Sequence, residues 1–161
     1  MDGSSERRNR ICKIDLDEQL RIRRNADIEH ERTVAIFDLL EENLFELSGE
    51  VQGPYHLTLS IEDSRLAFDV RSEVGEPLDR TVLPLSPFRG VIKDYFTVCE
   101  SYYDAIKRLS PSQIEALDMG RRAVHNEGSQ LLRERLEGKI TMDLNTARRL
   151  FTLICVLHIR A

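Results

Sequence analysis

An α+β fold, a three-stranded antiparallel meander packed against three to four helices, is predicted by three features of the sequence. The hydrophobic period changes from helical to two near Tyr55. Three short alternating runs then follow one another. After them the chain returns to helical spacing, with helix starts at Ser86-Pro87 and Ser110-Pro111, where a capping hydroxyl precedes a proline suited to the first turn.

In chain order, Met1 to Arg10 (MDGSSERRNR) is polar and charged and is expected to be a disordered tail. A single α+β domain over residues 11–161 is expected to follow. Ile11, Ile14 and Leu16 mark a short extended piece. Arg21 to Arg24 is basic and leads to Asn25 and Asp27, either of which can cap a helix. From Asp27 to about Phe45, Ile28, Ala35, Ile36, Leu39, Leu40 and Leu44 recur at helical spacing; Gly49, Gly53 and Pro54 close that segment.

Tyr55, Leu57, Leu59 and Ile61 alternate with polar residues, as in a strand with one wet face. Glu62, Asp63 and Ser64 turn the chain, and Leu66, Phe68 and Val70 alternate again, which makes a hairpin. Leu78 to Leu83, bracketed by Pro77 and Pro84, reads as an edge strand. Phe88, Ile92, Tyr95, Cys99, Tyr102, Ile106 and Leu109 form one helical seam, expected to be core; left exposed, it would be a dimer interface. Ser110 and Gln113 have the spacing of a capping box, opening a helix that buries Ile114, Leu117, Val124, Leu131 and Leu132 and ends near Gly138. Lys139 to Met142 reads as a short strand. The last helix starts near Asp143 or Asn145, and its run LFTLICVL is apolar all round, as in a centrally packed helix.

Composition narrows the function classes. A chain of 161 residues suits one core, and 41% apolar with 32% charged residues is neither disordered nor membrane-spanning. The longest apolar run, Leu150 to Leu157, is too short for a bilayer. A net charge of −5 argues against nucleic acid and anionic lipid. The basic residues near the start (Arg7, Arg8, Arg10, Lys13, Arg21, Arg23, Arg24) are interleaved with acids and lack aromatics for stacking. Cys12, Cys99 and Cys155 sit among apolar neighbours without CxxC spacing. They read as three buried thiols in a reducing compartment, so a cytoplasmic location is expected.

The enzymatic signatures GxGxxG, GxxxxGK[ST], GxSxG and HExxH are absent. His30-Glu31 begins an HExxH pattern, but Val34 stands where the second histidine belongs. His125-Asn126-Glu127 has HxE spacing, and no PCxxC follows. No metal site and no cofactor is expected. One cluster remains, Asp118 to Gly128 (DMGRRAVHNEG). Continuing the stripe of Ile114 and Leu117 carries it through Arg121, Val124 and Gly128, so an arginine falls in the core-facing row, where an unpaired charge is costly. Arg122 lies one turn after Asp118 and His125 one turn after Arg121. Two accounts fit: a structural arginine paired with Glu100 or Asp118, or an anion pocket of Arg121, Arg122 and His125. In the second, Glu100, Tyr102, Tyr103 and Asp118 would support the site.

The segments IEHERTVAIFDLLEEN (Ile28 to Asn43), KDYFTVCESYYDAI (Lys93 to Ile106), SPSQIEALDMGRRAVHNEGSQLLRERL (Ser110 to Leu136) and TARRLFTLICVLH (Thr146 to His158) resemble a family of uncharacterised small proteins of alphaproteobacteria. The resemblance covers nearly everything after the tail. It implies a bacterial cytosolic protein and carries over no catalytic residue. The leading functional expectation is a non-catalytic interaction or regulatory module acting through a protein partner or homodimer. The alternative is a protein or enzyme that binds a phosphate- or carboxylate-bearing small molecule near Arg121, Arg122 and His125.

Overall fold

A computed structural model of the chain describes residues 9–17, 26–108 and 110–158. Most of the expected tail, the basic Arg21–Arg24 stretch and the end of the seam at Leu109 lie outside these residues. The described elements are β1 (Ile11–Leu16), α1 (Ala26–Glu41), β2 (Phe45–Leu47), β3 (Tyr55–Glu62), β4 (Arg65–Ser72) and β5 (Pro77–Pro84). A 3-10 turn (Ser86–Phe88) leads into α2 (Arg89–Ile106), followed by α3 (Pro111–Leu136), β6 (Ile140–Met142) and α4 (Leu144–His158). The fold is α+β.

The expected meander forms as β3–β4–β5, with β5 at one edge, yet its sheet has four strands and is mixed. β1 lies parallel to β3 at the other edge. A parallel neighbour leaves no turn signal in the sequence, because the link from β1 to β3 is a long crossover through α1 and β2. The spacing of Ile11 and Ile14 also disguises the strand, since residues three apart point to opposite faces of a regular strand. A register shift between Ile11 and Lys13 returns both to the buried face. The hairpin turn is tighter than expected: Glu62 pairs with Arg65, leaving Asp63 and Ser64 as a two-residue turn with φ of 51° and 60°. Positive φ at both central residues matches the twist of the flanking strands.

Helix α1 ends at Glu41, short of the expected Phe45, because Asn43 draws the chain into β1. Its Nδ2 donates to Leu39 O (2.8 Å) and Ile11 O (2.9 Å), and its Oδ1 accepts from Ile11 N (2.7 Å). Phe45 to Leu47 then pair antiparallel with β6, Phe45 opposite Met142 and Leu47 opposite Ile140, as a second sheet of two strands. The helical recurrence of Leu40 and Leu44 concealed that strand.

Helix α4 packs against α1, α2, α3 and β3, so Leu150 to Leu157 are buried whichever way they point. The α2 seam is core from Phe88 through Ile92 and Tyr95 to Cys99; beyond it Tyr102 is half-buried and Ile106 is 48% exposed. Ser86-Pro87 opens the 3-10 turn without a side-chain cap. Ser110 and Gln113 make the expected capping box, and Asp143 Oδ1 accepts from Thr146 N (2.9 Å) at the start of α4. In α3 the inward row is rotated by about one residue from the expected one. His125, Gly128, Ser129, Leu132 and Leu136 are buried, whereas Ile114, Leu117, Val124 and Leu131 are half-buried.

Gly128 explains the rotation. A Cβ built there would lie 2.4 Å from the Phe151 ring, so the glycine lets α3 press directly onto α4. Gly120, in the same helix, has nothing within 4 Å of its Cβ position. Gly128→Ala is therefore expected to lose about 1–3 kcal/mol by overpacking, and Gly120→Ala to gain about 0.5–1 kcal/mol from helix propensity. Urea denaturation of the two variants measures both; responses of the same sign would contradict this packing.

Candidate functional site

Helices α1, α3 and α4 enclose a cleft of about 340 Å³. Glu31, Val34, Ala35 and Asp38 line it from α1. Asp118, Arg121, Arg122 and His125 face it from α3, and Asn145, Arg148, Arg149 and Thr152 from α4. The fold thus brings Arg121, Arg122, His125 and Asp118 of the expected cluster together. Tyr102 and Tyr103 stand behind them on α2. Glu100 does not join them. It is exposed and lines a different cleft with Asp27, Phe96 and Asp104, while the α2 residue that meets Arg121 of α3 is Tyr102.

The carboxylate that meets Arg121 is Glu31, which is almost fully buried. Arg121 Nη2 lies 2.6 Å from Glu31 Oε1, and the Tyr103 hydroxyl donates to the same oxygen at 2.7 Å. Burial and this bond to Glu31 push the Tyr103 phenol pKa up, so it stays a donor. The Arg121 guanidinium also stacks over the Tyr102 ring at 5.0 Å, a cation–π contact. Asp118 is 3.0 Å from Arg122 and 3.9 Å from Arg121. Arg121 is thus charge-paired inside the protein, and Arg122 holds an ordinary ion pair one helical turn long.

Glu31 was readable in the sequence. Ile28, Glu31, Ala35 and Leu39 are the buried residues of α1, so Glu31 falls in an inward row just as Arg121 does in α3. Opposite charges in two inward-facing rows stabilise burial by pairing.

His125 is buried against Tyr95 and Phe151, edge to face at 5.2 and 6.4 Å between ring centres. Its Nδ1 lies 2.8 Å from Arg121 O. A carbonyl only accepts, so Nδ1 carries the hydrogen. Burial lowers the ring's pKa, opposed by that bond, and the nearby Arg121 and Arg148 charges lower it further. The imidazole is therefore neutral near pH 7, with Nε2 as an acceptor.

The unexpected residues are Arg148 and Arg149, adjacent and half-buried on α4. Among the described residues neither has a carboxylate within 4.0 Å. Arg149 Nη1 donates to Asn145 O (3.1 Å), and its Nε is buried without an acceptor. Arg148 makes no side-chain hydrogen bond among the described residues; Thr152 donates to its carbonyl at 3.1 Å. Of the cleft's three acids, Glu31 and Asp118 are paired, and Asp38 has no ion pair within 4.0 Å among the described residues. Four arginines against three acids leave the cleft one positive charge in excess.

Elsewhere, Arg10 Nη2 donates to Leu40 O (3.0 Å), His56 pairs with Asp15 at 2.7 Å, and His30 is exposed. Cys99 and Cys155 are buried free thiols, while Cys12 is half-buried. Among the described residues no cluster of three or more His, Cys, Asp and Glu could hold a metal ion, and no helix is long and apolar enough to cross a membrane.

Residues 8–160 match the family described as Uncharacterised protein family (UPF0262). The UPF0262 protein of Paramagnetospirillum magneticum is 61% identical over 153 residues, which cover 95% of this chain and 98% of that one. That of Hyphomonas neptunium is 59% identical over 150 residues, 93% of each chain. The Rhizobium meliloti protein is 56% identical over 156 residues, 97% of this chain and 98% of its own. No solved structure matches the chain. The chain belongs to the UPF0262 family, whose members here come from alphaproteobacteria.

Two outcomes follow from the buried pair and the buried ring. Glu31→Ala and Arg121→Ala should each lose about 3 kcal/mol, since each strands a buried partner. The double variant should lose little more than either single one, giving a coupling well above 0.5 kcal/mol in a denaturation cycle; additive losses would show the two charges to be uncoupled. For His125 the folded pKa lies below its unfolded value of about 6.5. The unfolded chain therefore gains the proton first, and stability falls as pH drops through that value toward the folded pKa. His158, also lowered by burial, acts in the same sense. His125→Phe should make the decline of Tm between pH 7 and 6 shallower; an unchanged slope would show the ring to be insensitive.

Proposed function

We propose that this chain binds a small phosphate- or carboxylate-bearing ligand in the cleft between α1, α3 and α4, and that Arg148 and Arg149 meet its charge. One observation carries the proposal: two adjacent, half-buried guanidiniums that no carboxylate reaches among the described residues. Both line the cleft and are partly stripped of water, so an anion seated there offsets charge that no carboxylate meets among the described residues. The guanidinium fork suits the paired oxygens of phosphate and carboxylate. Arg121 and Arg122, anchored by Glu31 and Asp118, shape the opposite wall. The role proposed is binding; the cleft's one hydroxyl, on Thr152, donates to the Arg148 carbonyl. Free thiols at positions 12, 99 and 155 support a reducing, cytoplasmic setting.

A second reading, an interaction module acting on a protein partner or a second copy of the chain, is supported by Phe37 and Val34. They are 66% and 40% exposed, one helical turn apart on α1, and Val34 also lines the cleft. The α2 seam lends it little, being core as far as Cys99.

Thermal unfolding with inorganic phosphate and with small carboxylates tests the binding role. A ligand at about 100 times its Kd should add roughly 2.7 kcal/mol, a shift of several degrees. Arg148→Gln and Arg149→Gln should abolish the shift and, by removing uncompensated charge, raise the Tm of the ligand-free protein. A shift that survives both substitutions, or ligand-free variants that are less stable, would show these arginines to be structural.

A further inference from the structure

The acceptors in the cleft specify the other half of the ligand. His125 Nε2 has no hydrogen-bond partner among the described residues, and it is not among the buried side-chain atoms left without one, so solvent reaches it. With Nδ1 held by Arg121 O, Nε2 can only accept. Asp38, the cleft carboxylate without an ion pair within 4.0 Å among the described residues, is a second acceptor.

An anion alone would occupy this site poorly. It would be repelled by Asp38 and would leave Nε2 without a donor once water is displaced, and an unmet buried acceptor costs binding energy. A ligand that places a donor beside its anionic group removes both penalties.

We infer that the cleft selects an anion that also carries a hydrogen-bond donor, a hydroxyl or an ammonium group close to its phosphate or carboxylate. Arg148 and Arg149 take the charge, and His125 Nε2 and Asp38 take the donor. This rests on the anion-binding role proposed above. The cleft's volume, about 340 Å³, limits the ligand to the size of a small metabolite.

Calorimetric titration with two matched sets tests it: propionate against lactate and alanine, and ethyl phosphate against glycerol 3-phosphate and phosphoethanolamine. Within at least one set, a donor-bearing compound should bind ten or more times tighter than its donor-free partner. The hydroxyl and ammonium members distinguish the two kinds of donor. In His125→Phe and in Asp38→Asn that preference should fall below threefold; Asp38, at the cleft edge of α1, provides the test should the buried histidine variant not fold. Equal affinities within both sets, or a preference that survives both substitutions, overturn the inference and leave the anion site standing. Binding of none of the six compounds overturns the anion site itself.

Discussion

Glu31 and Arg121 meet because each lies in the inward-facing row of its own helix, where neither charge could stand alone. Their contact draws together three helices: α1 supplies the carboxylate, α3 the guanidinium, and α2 the Tyr103 hydroxyl and the Tyr102 face. The pair sets the distance between α1 and α3 and so forms one wall of the cleft. It also decides which cations remain available. The Arg121 charge is paired with Glu31, although its Nε is buried without an acceptor, so the guanidiniums that no carboxylate meets among the described residues are those of α4.

The placement of that charge depends on packing that is otherwise unremarkable. α4 is wrapped by α1, α2, α3 and β3, and it reaches the surface in its first turns, where Arg148 and Arg149 sit, and at its final residue, His158. Gly128 lets α3 settle on Phe151, which brings His125 over the same ring and beside the arginines. Moving α3 outward by the width of a methyl group would open the cleft and separate its acceptor from its donors. Core geometry and site geometry are therefore coupled through one aromatic ring.

Much of the fold was legible locally. The period-two runs at Tyr55–Ile61 and Leu66–Val70, the Ser110–Gln113 capping box and the all-round apolar run of α4 each encode their element within a few residues. β1 was not legible as a sheet strand because its partner lies beyond a long crossover and a bulge breaks its period; β2 was masked by leucines that continue a helical rhythm. In the site, extending the α3 stripe found Arg121 and its neighbour His125. The same extension along α1 would have found Glu31, in place of Glu100, as the partner. Arg148 and Arg149 carried no such signal: two arginines ahead of an apolar run look like an ordinary solvated helix face until the burial of that turn is known.

The most direct test is a crystal grown with tungstate, a tetrahedral dianion located by its anomalous scattering. The expected result is a peak within hydrogen-bonding distance of Arg148 or Arg149, with the Glu31–Arg121 pair intact. A cleft without a peak, or an anion seated on Arg121 with Glu31 swung aside, would contradict the division of charge on which this site rests.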